Sequence, residues 1–342
     1  NYSACLCRSA CRREFPPPKR DVNLGFRVAS VLPETPIPTT KQVADPDRRA
    51  AEWVRSIGGI VNLKGHSQNF GDPANKLPEE PFYVFSIDLT DNPAVTDAGL
   101  ANLAGLSRLA YLTLRRTATT DAGLENLTEL PEVRQLQLQY TQVTGAGAAH
   151  LADLPSLRIL SLAKTPINDA GLPHVGQLHG LSELSLWGTK VTDSGLEHLS
   201  GLRNLEFINL ACPGVNDDGF RHLQNLTELR ALNLAGADVT DAGLAHLLSL
   251  KKLEFLHLVH GPDDITSAGL EELGKLPRLR ALQIGGYWPG RDTVEALTKL
   301  SQLCELYYTG RRGIKEEPDA AALKAALPNC RIDTSQEAAI DA

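Results

Sequence analysis

The chain has 342 residues, a net charge of −7 and a pI near 5.8. This length exceeds the roughly 100–200 residues of a typical domain and favours either several domains or a repeat array. The net negative charge is not typical of nucleic-acid-binding proteins, which usually carry clustered basic residues. No segment approaches the about 20 consecutive apolar residues of a membrane span. We therefore expect neither a nucleic-acid partner nor a membrane-spanning segment.

Residues 1–30 carry motifs of their own. Within residues 5–30 these are Arg-Ser-Ala at 8–10, three prolines at 16–18 and Asn-Leu-Gly-Phe-Arg at 23–27. The segment resembles the C-terminal end of the formylglycine-generating-enzyme (sulfatase-modifying-factor) family. Because the chain also contains no methionine, the resemblance implies the C-terminal remnant of a domain whose larger part lies upstream.

Residues 31–44 are rich in proline and predict a semi-extended linker. A helix is predicted next, because Asp45 is a capping residue and Pro46 suits the first helical turn. The apolar face expected on this helix consists of Ala50, Trp53, Val54 and Ile57. A strand over residues 60–63 follows, and residues 45–83 together are expected to form an N-terminal cap.

A sequence motif of 24 residues then repeats along the chain. The glycine of its Thr-Asp-Ala-Gly-Leu element marks the phase at positions 99, 123, 147, 171, 195, 219 and 243 and, after a two-residue insertion, at 269. Each unit carries two core leucines or isoleucines separated by one residue, which predicts a short strand. The leucines that follow are spaced as in a helix, behind a Thr or Asn of the kind that caps helices. Each unit therefore predicts a strand, a turn and a short helix.

One such unit cannot fold alone, because its few leucines do not offset the backbone entropy lost on ordering 24 residues. Stacked units supply the missing burial, with parallel strands joined by right-handed crossovers. The pattern resembles the leucine-rich-repeat family. The resemblance implies an α/β fold over residues 84–332: a right-handed solenoid, or horseshoe, with parallel strands on its concave face and short helices on its convex face. Residues 333–342 are expected to be a flexible tail.

Side chains that flank the core leucines are expected to face the groove, because strand side chains alternate. Trp187 stands out, since Ala163 and Ala211 beside it leave its indole uncovered. Together with neighbouring apolar and polar groups it has the composition of a protein-binding hot spot. The predicted partner-binding residues are Tyr111, Arg115, Ile159, Ser161, Ser185, Trp187, Phe207, Asn209, Phe255, His257 and Tyr307. An open alternative is that the aromatic residues fill gaps at the solenoid edge and the indole lies flat on its neighbours.

Two other residue sets invite a functional interpretation. Arg115, Arg116 and Lys164 could receive an acidic partner segment, although a solvated strand edge is the favoured interpretation. A histidine recurs at positions 150, 174, 198, 222 and 246, but helices about 8–10 Å apart do not bring two ring nitrogens to the about 2.1 Å that zinc requires. We predict no metal and no cofactor.

Catalysis has little support, because no nucleophile, base and orienting group share a motif. Ser185 and His257, for example, are expected roughly 14 Å apart at about 4.8 Å per strand. The sequence therefore predicts a monomeric, non-enzymatic module that binds a protein or peptide on its concave face. The alternative is the targeting arm of a formylglycine-generating-enzyme-like (sulfatase-modifying) enzyme whose catalytic domain lies upstream.

Overall fold

The strands stand side by side in one sheet, in the order of the sequence. The computed structural model describes residues 45–66, 69–72, 74–261, 265–286, 291–310, 324–325 and 327–333. Among these, β1 pairs antiparallel with β2, and every later pair is parallel. The strands are β1 (Ile60–Leu63), β2 (Val84–Asp88), β3 (Tyr111–Thr113), β4 (Gln135–Gln137), β5 (Ile159–Ser161), β6 (Glu183–Ser185), β7 (Phe207–Asn209), β8 (Ala231–Asn233), β9 (Phe255–Gly261), β10 (Ala281–Gly286), β11 (Glu305–Gly310) and β12 (Arg331–Asp333).

Short helices connect successive strands. The α-helices are α1 (Pro46–Ser56), α2 (Asp121–Glu125), α3 (Ala148–Leu151), α4 (Leu172–Val175), α5 (Asp193–Leu196), α6 (Asp217–Phe220), α7 (Asp241–Leu247), α8 (Ser267–Glu272) and α9 (Arg291–Thr298). Segments of 3₁₀ helix cover Gly99–Leu103, Asp169–Gly171, Glu197–Leu199, Arg221–Leu223 and Leu273–Lys275. Parallel strands alternating with short helices confirm the predicted fold class.

Strand register places equivalent positions of successive repeats side by side. Leu112 pairs with Leu136, and Leu136 pairs with Leu160, so the core leucines stack into a continuous interior. These three side chains are at most 1% exposed. Because each repeat closes its apolar side chains against both neighbours, stability spreads along the array through nearest-neighbour contacts.

The predicted first helix is confirmed, and it is tied to the first repeat strand by a buried carboxylate. The side chain of Asp45 accepts a hydrogen bond from the backbone N–H of Asp47, which caps α1. Asp47 is itself only 5% exposed, and its carboxylate accepts a 2.6 Å bond from the N–H of Val84. Desolvation by burial raises the pKa of Asp47.

A row of buried threonines lines the turns after β3 to β6. Each hydroxyl donates to the carbonyl oxygen three residues earlier, at 2.6–2.8 Å, in Thr117, Thr141, Thr165 and Thr189. The row ends where Pro213 replaces the threonine, and there the buried Cys212 donates its Sγ–H to the carbonyl of Leu186 at 2.9 Å. Burial raises the pKa of the Cys212 thiol.

The glycine that marks the repeat phase faces an aspartate of the preceding repeat. Asp169 accepts bonds from both the backbone N–H (2.8 Å) and the hydroxyl (2.7 Å) of Thr192, and a Cβ at Gly195 would lie 2.4 Å from its Oδ1. The same contact of less than 2.5 Å recurs at Gly123, Gly147, Gly219, Gly243 and Gly269, with Asp97, Asp121, Asp193, Asp217 and Asp241. These carboxylates therefore link neighbouring repeats through the first turn of the helix.

The repeat before Gly171 lacks this aspartate and has Gly145 in its place. Here the backbones approach directly, because a Cβ on Gly145 would lie 2.9 Å from the nitrogen of Gly171 and one on Gly171 would lie 2.8 Å from the Cα of Gly145. The phase glycine is thus retained even where no carboxylate faces it, because backbone occupies the same space.

The predicted remnant over 1–30, the linker over 31–44 and residues 334–342 of the predicted tail lie outside the described residues. In the part of the chain that the structure describes, no helix is both long and apolar enough to cross a membrane. Those same residues contain no group of three or more metal-ligating side chains. The recurring histidines do not form one.

Candidate partner-binding face

The residues predicted around Trp187 lie on three adjacent strands. Ile159 pairs with Glu183, and Glu183 pairs with Phe207, so these three side chains stand in one row across β5, β6 and β7. Ser161, Ser185 and Asn209 form a second row in the same strands. The structure thus brings six of the predicted residues, counting the indole that follows β6, into one region of the sheet face.

Burial differs within this region. Ser161 is only 6% exposed, whereas Ile159, Ser185, Phe207 and Asn209 are half-buried. The amide oxygen of Asn209 already accepts a 3.1 Å bond from the N–H of Ala211. The half-buried apolar groups are therefore the parts of this region most available to a partner.

The expectation of an uncovered indole is wrong. Trp187 is half-buried, because the ammonium of Lys164 lies 4.5 Å from the centroid of its ring system and the ring of Tyr140 meets it edge-on, with centroids 6.3 Å apart at 82°. The flanking Ala163 is 3% exposed and Ala211 is 4% exposed. The small side chains of Ala163 and Ala211 therefore do not leave the indole uncovered.

Tyr140 and Lys164 reach the indole because of an unusual backbone conformation. Asp91, Arg116, Tyr140 and Lys164 occupy equivalent positions in four successive repeats, and all have φ between 55° and 60°. A left-handed conformation costs roughly 1–2 kcal/mol in a residue with a Cβ. Each of these residues donates its N–H to a carbonyl of the next repeat at 2.7–3.0 Å, so the ladder continues past the strand ends and holds the turn.

Side chains at these positions contact one another from repeat to repeat. The guanidinium of Arg116 lies 5.0 Å from the ring centroid of Tyr140, and one of its nitrogens lies 3.6 Å from the carboxylate of Asp91. Tyr140 in turn meets Trp187, on which Lys164 lies. We call Arg116, Tyr140, Lys164 and Trp187 the cation–aromatic row. Tyr140 was not among the predicted residues, because a tyrosine gives no sequence signal of a positive φ.

Glu183 is a second residue absent from the predicted set. It stands between Ile159 and Phe207, and no described residue hydrogen-bonds its carboxylate. Desolvation by burial, followed by repulsion from Glu206, raises the pKa of Glu183. A partly desolvated carboxylate between apolar side chains is the kind of group that a binding surface presents.

Replacing Glu183 with glutamine is expected to change the dependence of stability on pH. The folded chain holds a proton on Glu183 more tightly than the unfolded chain does, so this group favours folding fully below the unfolded pKa near 4.5, and that contribution is lost as pH rises through the raised folded pKa. Glu183→Gln should therefore unfold at higher urea than the wild type at pH 7, with the difference shrinking at pH 4. Glu125→Gln, at an exposed helix position, is the control, and an equal effect of both variants would contradict the prediction.

The remaining predicted residues lie apart from this region. On β3 and just beyond it, Tyr111 is 39% exposed and stacks edge-on with Phe85, and Arg115 is exposed. Phe255 is half-buried and His257 is 7% exposed, both on β9. On β11 the hydroxyl of Tyr307 donates to Glu305 at 2.7 Å. The eleven predicted residues thus extend from β3 to β11 and do not form one patch.

Sequence comparison defines the class of protein. The model of the leucine-rich repeat region matches residues 121–329, which is more than half of the chain. The chain therefore belongs to the leucine-rich-repeat family. No curated protein is similar enough to count as a relative.

Solved structures with the same architecture include receptor ectodomains and bacterial proteins. The leucine-rich-repeat ectodomain of the Arabidopsis receptor kinase HAESA, in complex with an N-terminally extended IDA peptide hormone, has a TM-score of 0.52 and 17% identity over 84% of this chain and 50% of that one. Internalin C2 of Listeria monocytogenes has a TM-score of 0.45 and 24% identity over 77% of this chain and 93% of that one. At these identities the likeness shows the fold alone.

Proposed function

We propose that the repeat array is a binding module that receives a protein or peptide on its strand face, in the region of Trp187. The observation that carries the proposal is a half-buried indole beside a row of apolar side chains, Ile159 and Phe207, with a partly desolvated carboxylate between them. Large aromatic groups that are partly buried before binding lose little side-chain entropy on contact, which is why they dominate binding free energies. A further solved HAESA complex with IDA and a co-receptor, at TM-score 0.50 and 17% identity, shows that a fold of this type can receive such partners.

Among the described residues, the serine and histidine of the predicted binding set do not lie close enough together to form a catalytic pair, which favours binding over catalysis. Ser185 lies on β6 and His257 on β9, with two strands between them. We infer a protein or peptide partner and not a nucleic acid, because the region of Trp187 presents apolar and aromatic side chains with few cations, whereas a nucleic-acid backbone is bound through many phosphate contacts.

The test removes the aromatic side chains from the strand face. Trp187→Ala combined with Phe207→Ala is expected to weaken partner binding about 30-fold or more, because a hot-spot side chain contributes at least about 2 kcal/mol. Proteins captured from a native lysate by the full chain are quantified by mass spectrometry for wild type and variant at equal loading. The captured protein that is lost is then purified and titrated against both forms.

The matched control carries Glu197→Ala and His198→Ala, two exposed residues on the helical side of the repeat that contains Trp187. It is expected to retain every protein that the wild type captures. If the two double variants lose the same partners, or if neither loses any while the fold stays intact by circular dichroism, the strand face is not the binding site.

The alternative function rests on the resemblance of residues 5–30 to the end of a formylglycine-generating-enzyme domain. In that case the repeats would serve as the targeting arm of a sulfatase-modifying enzyme. The coding sequence around the start of this chain distinguishes the two. A domain of that family encoded before residue 5 would support the targeting arm, and a gene without one would exclude it.

A further inference from the structure

We infer that the cation–aromatic row is the docking surface for an extended acidic peptide segment of the partner. The inference rests on the proposed function and names the chemistry of what binds. Arg116 and Lys164 supply the charges, and Tyr140 and Trp187 supply the flat surfaces on which the bound backbone lies. A solvated strand edge, the favoured interpretation from sequence, does not account for side chains that are held against one another across four repeats.

The cations of the row are oriented before any partner arrives. Lys164 lies across Gly188, where a Cβ would meet its Cδ and Cε at 2.6 Å, so the missing side chain at Gly188 gives the lysine its path to the indole. Arg116 is held over Tyr140 at 5.0 Å. Long cationic side chains that are already ordered lose less entropy on binding, and the contact of each cation with an aromatic face stabilises this ordered conformation.

Their charges remain available to a ligand. The side chain of Arg116 is 48% exposed, and its ion pair with Asp91 is 3.6 Å long and also exposed. Exposed ion pairs of this kind contribute little to stability, so a partner carboxylate can replace or join Asp91 at small loss. Lys164 is exposed, and no carboxylate among the described residues lies within salt-bridge distance of it. With Arg115 beside them, the row forms a cationic edge in a chain of net charge −7.

At the opposite ends of these strands the charges are mixed, since Arg134 and Arg158 directly precede β4 and β5 while Glu183 begins β6. The charge complementarity for an acidic peptide therefore comes from the row itself, through Arg116 and Lys164.

The length of the row fits a short peptide. Arg116 and Lys164 are two repeats apart, or roughly 10 Å at about 4.8 Å per strand, and Trp187 follows one repeat further. An extended chain advances about 3.3 Å per residue, so about four to five residues span the row. Two or three cations are too few for a nucleic-acid backbone, whose affinity comes from many phosphate contacts. The observations favour a protein ligand.

The experiment uses the full chain and fluorescein-labelled octapeptides of alternating Glu and Ser, Gln and Ser, or Lys and Ser, followed by fluorescence anisotropy. The acidic peptide is expected to bind at least tenfold more tightly than the other two, with an affinity that falls as salt rises. Arg116→Asn with Lys164→Asn should lower that affinity at least tenfold, and asparagine is chosen because it tolerates the left-handed conformation. Lys190→Asn, beyond the buried threonine row, is the control for the loss of charge and should change the affinity less than twofold.

A charge-reversal variant distinguishes a change in binding preference from a loss of folding, because an unfolded variant would not gain a preference for the oppositely charged peptide. Arg116→Asp with Lys164→Asp should bind the Lys peptide in preference to the Glu peptide. The inference is overturned if the wild type does not prefer the acidic peptide, if Lys190→Asn weakens binding as much as the row variant, or if single-stranded DNA binds the row more tightly than the peptide does. If the peptide fails while the Trp187 and Phe207 variant still loses its captured partner, only the chemistry of the partner is wrong and the proposed function stands.

Discussion

Replacing Gly195 with alanine is expected to lower the free energy of unfolding by about 2–4 kcal/mol. The new Cβ would lie 2.4 Å from Oδ1 of Asp169, so the carboxylate must turn away from Thr192 and give up bonds of 2.8 and 2.7 Å. Hydrogen bonds to a charged group contribute about 1.5–3 kcal/mol each, and the better helix propensity of alanine returns only about 1 kcal/mol. Urea denaturation followed by circular dichroism measures the loss.

A double-mutant cycle assigns this loss to the contact between repeats. Asp169→Ala alone should lower stability by about 3–5 kcal/mol through the same two bonds. In that background Gly195→Ala meets only Cδ1 of Leu172, 3.0 Å from the new Cβ, and the small displacement of that methyl group offsets the gain in helix propensity. The second substitution is therefore expected to lower stability little further, so the two effects are strongly non-additive. Gly201→Ala is the control, because the nearest atom to its Cβ would be 3.8 Å away. Additive losses at Asp169 and Gly195 would show that the carboxylate is not what requires glycine.

The periodicity of the sequence was enough to predict the strands and to align them. The core pairs that begin with Leu112 and Leu136 stand in neighbouring strands in the predicted register. The sequence also located the phase glycines, but not the reason for them. Glycine is required because the Asp169 carboxylate of one repeat lies close to the Cα of Gly195 in the next. Neither residue type alone indicates this proximity. The sequence pattern does not indicate that each aspartate bridges to the next repeat.

Prediction of the binding face was less complete. Alternation along the strands placed Ile159, Ser185 and Phe207 correctly on one face, yet it could not rank them by burial, and Ser161 beside them is only 6% exposed. The cover over Trp187 was missed because it comes from the neighbouring turns. A tyrosine or lysine with φ near 60° directs its side chain across the next repeat, and neither residue type predicts that conformation.

Phe220→Ala is expected to lower the free energy of unfolding by about 3–5 kcal/mol. Phe220 takes the place of the leucine that follows the phase glycine in most other repeats, and its side chain is fully buried in the middle of the array. Truncation leaves a cavity that the surrounding leucines cannot fill without moving. The loss of stability combines the hydrophobic free energy of burying the removed ring atoms with the cost of that cavity. Because each repeat is stabilised by its neighbours, the variant should also unfold less cooperatively, with separate transitions for the segments on either side.

Two comparisons distinguish a core effect from a surface effect. Phe220→Leu retains most of the buried volume and matches the neighbouring repeats, so it should lower stability by less than about 1.5 kcal/mol. Phe207→Ala removes the same side chain only 13 residues earlier, from a half-buried position on the strand face, and is expected to lower stability far less than Phe220→Ala while weakening partner binding. If Phe207→Ala destabilised the chain as much as Phe220→Ala, Phe207 would belong to the core. Its contribution to partner binding would then have to be measured in a variant that keeps the ring, such as Phe207→Tyr.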